Sequence, residues 1–363
     1  MSTRSSNGAA LLSLLRAFLN GERTIDLGSL DDDLFARALD SGLGGILARV
    51  VVSGNRPRLA EVEGADLAAR VLNGGWIDCI EEVLARCGPL GCRPLLLKGA
   101  AVSLREYPEP HLRTMGDVDL LAPAPDVEPL ERVLREMGFS QPERDPFSDD
   151  YHHHSLPFFH RQHGVWIEVH TRLFPSTSPA DREPGLTAEA LRDRFSSVVV
   201  VGRQQVAIMD RPLQLVYTAA RWTEMISPER GIFPIVDAAL VTRVLTPEDW
   251  QIVLSLAGDG WTASALHLML TFLDRHALAP VPADVLIALA GRDRYSSRLT
   301  RRALHAIVMR AVFDQRLASR RALRTAWATL TADMRPALKF PAAAVNILVH
   351  PKGDRPLRLR RRG

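Results

Sequence analysis

The sequence predicts a mixed α/β fold (α+β in the broad sense), with the sheet in the middle of the chain and helical stretches on both sides. Three observations carry this. Residues 1–92 and 211–340 place apolar side chains at helical spacing, whereas residues 93–210 break into short apolar or alternating runs punctuated by proline and glycine. The 363 residues are 46% hydrophobic and 24% charged, an ordinary globular composition that excludes fibrous, repeat and disordered classes. The expected division is an N-terminal helical segment (1–92), an α/β core (93–210), a C-terminal helical domain (211–340) and a basic tail (341–363).

In chain order, Ala10 to Leu19, Leu34 to Val51 and Leu67 to Leu84 repeat apolar residues every three to four positions and read as helices separated by turns. Pro94-Leu95-Leu96-Leu97 is a short apolar run, and Lys98-Gly99-Ala100-Ala101 then opens a helix-like stretch to Tyr107, so a strand feeding a helix is expected. Pro108 and Pro110 force a loop, Asp117 to Leu121 reads as a strand ended by prolines, and Val127 to Met137 as a helix closed by Gly138. Tyr151 to Phe159 and Val165 to His170, with a turn at His163-Gly164, read as a hairpin; Ser196 to Ala207, broken at Gly202, reads as a strand or second hairpin. From Pro212 to about Ala337 the pattern is helical, interrupted at Gly258, Gly260 and Pro280 to Pro282.

Charge is unevenly spread. Residues 301–363 hold 15 Lys/Arg against 3 Asp/Glu, a local +12, and because the whole chain is +3 the first 300 residues sum to about −9. A solvated helical face with an Arg-rich tail accounts for that count, and RNA is the partner it would suit if it binds a polyanion. Cys79, Cys87 and Cys92 lack CxxC spacing and are expected to be reduced and structural. No apolar run approaches the roughly 20 residues that cross a bilayer, so a cytoplasmic protein with no membrane partner is expected.

The chemistry concentrates in two strands. In an extended Asp117-Val118-Asp119-Leu120 the aspartates share one face, roughly 6.5 to 7 Å apart, while Val118 and Leu120 point the other way. Like charges so close raise a pKa unless a cation neutralises them, and hard oxygen ligands favour Mg²⁺ or Mn²⁺. In Val165-Trp166-Ile167-Glu168-Val169-His170 the apolar residues face a core and Glu168 and His170 the opposite side, offering a third carboxylate. Two aspartates on one strand and an acid on the next are what two-metal phosphoryl transfer from a nucleoside triphosphate requires. Lys98 and Gly99 at a strand-to-helix junction, with Arg113 four residues before Asp117, supply the donors and positive charge for the phosphates.

These residues resemble a family. Leu97-Lys98-Gly99-Ala100, Tyr107, Arg113, Asp117-Val118-Asp119-Leu120-Leu121 and Ile167-Glu168-Val169-His170 look like the LKGxA, YxxxxxR, DxDLL and acid-x-His motifs of a largely uncharacterised nucleotidyltransferase family within the DNA polymerase β-like superfamily. Asp237 and Asp249-Trp250 fit its pattern in the helical part. The resemblance implies a small mixed sheet, with 93–210 as the nucleotidyltransferase core, Mg²⁺, and transfer of a nucleotidyl group to an acceptor. In the wider superfamily a Gly-Ser or Gly-Gly pair stands closer to the DxD. Here Gly99-Ala100 precedes Asp117 by 18 positions and has no serine hydroxyl, which leaves open whether the α- or the γ-phosphate is attacked.

The expected mechanism has Asp117 and Asp119 holding both metals, Glu168 completing the catalytic one, Lys98, Gly99 and Arg113 on the phosphates, and His170 orienting Glu168 or touching phosphate. The acceptor stays open among a small molecule, a peptide or protein side chain and an RNA end. Kinase-like transfer at the same site is the alternative within enzymes, and a non-catalytic nucleotide- or RNA-binding module the rival class. Six of eleven histidines fall between His152 and His170, without zinc-site spacing; apart from His170 they read as surface residues, His154 being the one that could reach the active-site face. Asp237 reads either as a buried paired acid or as a base contact.

Overall fold

The computed structural model describes residues 7–142, 154–175, 178–187, 190–224, 231–293 and 298–313. The tail 341–363, with its run of arginines, lies outside them, as do His152, His153 and the end of the helical stretch after Phe313.

The N-terminal stretch forms α1 (Asn7–Asn20), β1 (Ile25–Asp26), α2 (Asp32–Asp40), α3 (Gly44–Val50), β2 (Val51–Ser53) and α4 (Arg56–Cys87). Two differences from expectation stand out. The apolar pattern from Leu34 to Val51 is two helices, because Gly42 takes a left-handed φ of +78° between them, and a Cβ there would lie 2.1 Å from Thr114 Oγ1. The third helix is longer than its pattern, since Asn55 caps its first turn by accepting from the Arg58 amide.

The centre contains β3 (Leu95–Leu96), α5 (Lys98–Glu106), β4 (Val118–Leu121), α6 (Ala124–Glu136), β5 (Phe158–His160), β6 (Val165–His170), β7 (Ser197–Val201) and β8 (Gln204–Ile208). Six strands make one mixed sheet in the order β5-β6-β4-β3-β8-β7. The β4–β6 and β3–β8 pairs are parallel and the others antiparallel. Both expected hairpins form, but the first strand is Phe158–His160 rather than Tyr151 to Phe159, where Pro157 interrupts the run and 151–153 lie outside the described residues. The helical continuation is α7 (Arg211–Glu224), α8 (Ile232–Thr242), α9 (Pro247–Ala257), α10 (Trp261–Arg275), α11 (Ala283–Arg292) and α12 (Arg298–Val308).

Packing divides the molecule into two cores. One face of the sheet, with Leu96, Val118, Leu120, Ile167 and Val169, is covered by the second half of α4 (Trp76 to Cys87) and by Leu130, Val133 and Leu134 of α6. The other core joins the N-terminal helices to the later helical stretch, from Leu11 and Leu15 of α1 through Ile46 of α3 to Val216 of α7, Ile235 of α8 and Phe272 of α10. The helical flanks are therefore one body, laid against the sheet face that carries the acidic residues. All three cysteines are buried and unbridged; burial pushes the Cys79 and Cys87 thiols up to about 12, so they stay protonated.

Candidate active site

Strand register builds the site. In the β4–β6 ladder Val118 pairs with Ile167, Asp119 with Glu168 and Leu121 with His170. Because alternate residues share a face, Asp119, Glu168 and His170 project together away from the apolar side. His170 Nε2 lies 2.6 Å from Asp119 Oδ1 and 3.4 Å from Glu168 Oε2. One ligand atom from each of the three falls within 4.8 Å of the others, a set of two carboxylates and an imidazole that suits a divalent cation. Asp117 stands one residue before β4, half-buried, and outside that cluster; it lines the same cleft two positions back along the strand.

Lys98 completes the centre from the neighbouring strand-to-helix junction. It opens α5 with a left-handed φ of +49°, a conformation that costs a non-glycine residue about 1–2 kcal/mol and that turns its ammonium onto Asp119. Its Nζ is also 3.9 Å from Glu168 Oε2 and 3.4 Å from His170 Nε2. Burial alone would push the Asp119 carboxyl up, but the Lys98 charge and the His170 contact hold it well below the usual range. Glu168 is likewise depressed: burial opposes ionisation, and His170 and Lys98 outweigh it. Burial would weaken the Lys98 ammonium, yet Asp119 beside it keeps its pKa above the ordinary lysine value. The chain thus maintains two ionised carboxylates in a largely dry setting.

The α5 N-terminus sits at this centre with no side chain capping its first turn and with Gly99, Ala100 and Ala101 buried. Gly99 is required by Arg113, because a Cβ at position 99 would lie 2.9 Å from the Arg113 Cζ. Arg113 lines the cleft, but its guanidinium is committed: Nη2 is 3.1 Å from Asp237 Oδ2, Nε donates to both Asp237 oxygens at 3.2 Å, Nη1 donates to the Thr114 carbonyl, and the plane lies over the Phe233 ring. Tyr107 Oη donates to Asp237 Oδ1 at 2.7 Å. Asp237 is therefore a buried paired acid, and three residues of the sequence pattern, Tyr107, Arg113 and Asp237, form one interior network.

His154 is the residue of the histidine tract found at the site. Its Nε2 is 3.7 Å from Glu168 Oε2, its backbone pairs with that of His170 in an isolated antiparallel bridge, and burial lowers its pKa.

A cleft of about 810 Å³ opens over this cluster. The sheet side contributes Lys98, Asp117, Asp119 and Glu168; the far wall is Gln214, Tyr217, Thr218, Arg221 and Trp222 of α7 with Phe233 and Pro234 of α8; Asp40 and Ser41 from α2 reach its edge. The sequence reading missed the α7 wall. Its signal was available, since positions 214, 217, 218, 221 and 222 follow one helical stripe, but no motif drew attention to it. Asp40 and Ser41 carried no signal.

A mixed sheet bearing an Asp–Glu pair on adjacent strands, beside an uncapped helix N-terminus and a helical wall, suits the binding of phosphate and a divalent cation. The chain belongs to the family described as uncharacterised nucleotidyltransferase, which matches residues 32–277. No curated protein and no solved structure matches it. Among the described residues no helix is long and apolar enough to cross a membrane.

Proposed function

We propose that the chain transfers a nucleotidyl group from a nucleoside triphosphate to a hydroxyl acceptor, with Mg²⁺ or Mn²⁺ held by Asp119 and Glu168 together with Asp117 and His170. The observation that carries this reading is the cross-strand opposition of Asp119 and Glu168, both kept ionised, at the floor of a cleft large enough for a nucleotide. When bound, the divalent cations supply charge neutralisation at the phosphates and acidify the attacking hydroxyl.

The remaining work falls to the chain. Asp119 and Glu168 present negative charge that a triphosphate alone cannot approach, which makes nucleotide binding conditional on the cation. The amides at the start of α5 point at the phosphates, and Lys98 neutralises the charge that builds on the departing pyrophosphate. Arg113, fixed by Asp237 and Tyr107, holds the wall beside Gly99 in place. The acceptor oxygen forms its bond to the α-phosphorus, the bond to the β-phosphate oxygen breaks, and the hydroxyl proton passes to Glu168.

The test uses NTP labelled on the α- or on the γ-phosphate, with Mg²⁺ or Mn²⁺, against pools of small-molecule, peptide and RNA acceptors. Label from the α-phosphate on an acceptor with release of pyrophosphate is expected. Label from the γ-phosphate with NDP as product would replace this reading by kinase-like transfer, and divalent-independent NTP binding without turnover would replace it by a binding module.

A further inference from the structure

We infer that α7 is the phosphate-gripping wall of this cleft, with Arg221 as the cation that holds the nucleotide's polyphosphate chain together with Lys98. The inference rests on the nucleotidyltransferase reading and adds a binding residue from the helical body, a part of the chain that no motif marked.

The first observation is the composition of the stripe. Gln214, Tyr217, Thr218, Arg221 and Trp222 follow the i, i+3, i+4, i+7, i+8 pattern of one helix face, and all five line the cleft. Four of them are at least nine-tenths buried, with Gln214 1% and Trp222 2% exposed. The other buried positions of α7 are apolar, among them Leu213, Leu215, Val216 and Ala220, except Thr223, whose hydroxyl donates to the Ala219 and Ala220 carbonyls of its own helix. Only the face turned to the cleft carries a polar atom at every position.

The second is an unmet demand. Gln214 Oε1 and Trp222 Nε1 are buried and have no hydrogen-bond partner among the described residues. A buried polar group left in that condition costs about 1–3 kcal/mol, and both residues belong to the cleft wall.

The third is electrostatic. Arg221 of α7 and Lys98 at the start of α5 line the same cleft, close enough for the Arg221 charge to act against the Lys98 ammonium. Two cations on one cleft are stabilised by an anion bound between them, and a guanidinium suits phosphate oxygens because it can donate two parallel hydrogen bonds.

The experiment titrates the full chain, in Mn²⁺, with each of the four NTPs, with the matching NMPs and with inorganic tripolyphosphate, by calorimetry. Arg221→Gln is expected to weaken NTP binding about 10- to 100-fold, as loss of a charge-assisted contact does, and to leave NMP binding within threefold. Arg221→Lys should recover part of the NTP affinity. If tripolyphosphate alone binds and loses affinity in the same proportion, the site reads polyphosphate; if it does not bind while NTP does, the nucleoside is also required, and both outcomes support the assignment to Arg221. Wild-type NTP affinity in Arg221→Gln overturns the inference and leaves the proposed function standing. Failure of the unaltered chain to bind any NTP overturns both. Should Arg221→Gln melt without cooperativity, Arg221→Lys decides: unchanged affinity for NTP and tripolyphosphate refutes the assignment.

Discussion

Arg113 and Asp237, 124 positions apart in the chain, form a buried ion pair that fastens the loop before β4 to α8. The pair sits at the cleft, among Tyr107, Leu112, Phe233 and Val236 of the helical core, so the loop before β4 is held to that core by a contact in which each partner depends on the other. Burial raises the Asp237 carboxyl above its usual value, with Arg113 and the Tyr107 hydroxyl opposing that rise.

Removing one member should cost more than removing both. Asp237→Leu leaves a buried guanidinium unpaired and is expected to destabilise the fold by about 3–5 kcal/mol. Asp237→Leu combined with Arg113→Met should cost clearly less than either single change. Urea denaturation of the four proteins measures the coupling, and additive losses would refute it.

Gly99→Ala brings a methyl to 2.9 Å from Arg113 Cζ, inside any allowed contact. The guanidinium or α5 must shift, and because both border the phosphate region the transfer rate should fall at least tenfold. Thermal melting should show a loss of about 1–3 kcal/mol. Full activity in this variant would show that the two elements move independently.

Asp119→Asn removes the partner of Lys98 and His170 from a buried position. Transfer should drop by roughly 10³ or more, and stability should fall by about 1–3 kcal/mol, because the ammonium loses its counter-charge. Lys98→Ala should lower the rate by roughly 10² to 10³. Rate assays with a matched denaturation series check both, and a near wild-type rate in either variant would remove that residue from the mechanism.

His305 gives the pH dependence. Burial, which outweighs its contact with the Leu268 carbonyl at 3.2 Å, lowers its pKa to about 4 from the ordinary 6.5. The unfolded chain takes up a proton below pH 6.5 that the native imidazole refuses until about pH 4, so stability is complete above 6.5 and is lost as pH falls through that window. The loss is on the order of 3 kcal/mol. Urea midpoints at pH 7.5, 5.5 and 4 should fall more steeply for the parent chain than for His305→Gln, and parallel curves would show that the imidazole is protonated in the native state.

The strands and most helices were legible because their signals are local. Alternation in Val165 to His170 fixes which side chains share a face, and Gly138 and Gly202 end their elements with φ values of +90° and +57° that glycine tolerates. The single long α4 was not legible, because half of it packs on the sheet and half on the helical body, so its apolar face changes side along its length. The Asp119–Glu168 pairing was expected from two alternating strands, and its register came only with the ladder. Arg113 read as a phosphate ligand from its distance to Asp117, since nothing near it in sequence announces a partner 124 positions away.

What the sequence determined by itself is the chemistry available: two acidic strands, a lysine-glycine junction and a helical remainder, each set by the period of nearby apolar residues and by turn residues. The tertiary structure decided which charges meet. Register placed Asp119, Glu168 and His170 within one ligand's reach and left Asp117 a step back; burial drew Arg113 to Asp237 and Lys98 to Asp119; and docking of the helical body turned the polar stripe of α7 toward the cleft. The physical reason is range. Backbone preference and side-chain periodicity act over a few residues, whereas the cost of burying a charge is met only by whatever opposite charge the folded chain brings within a few ångströms.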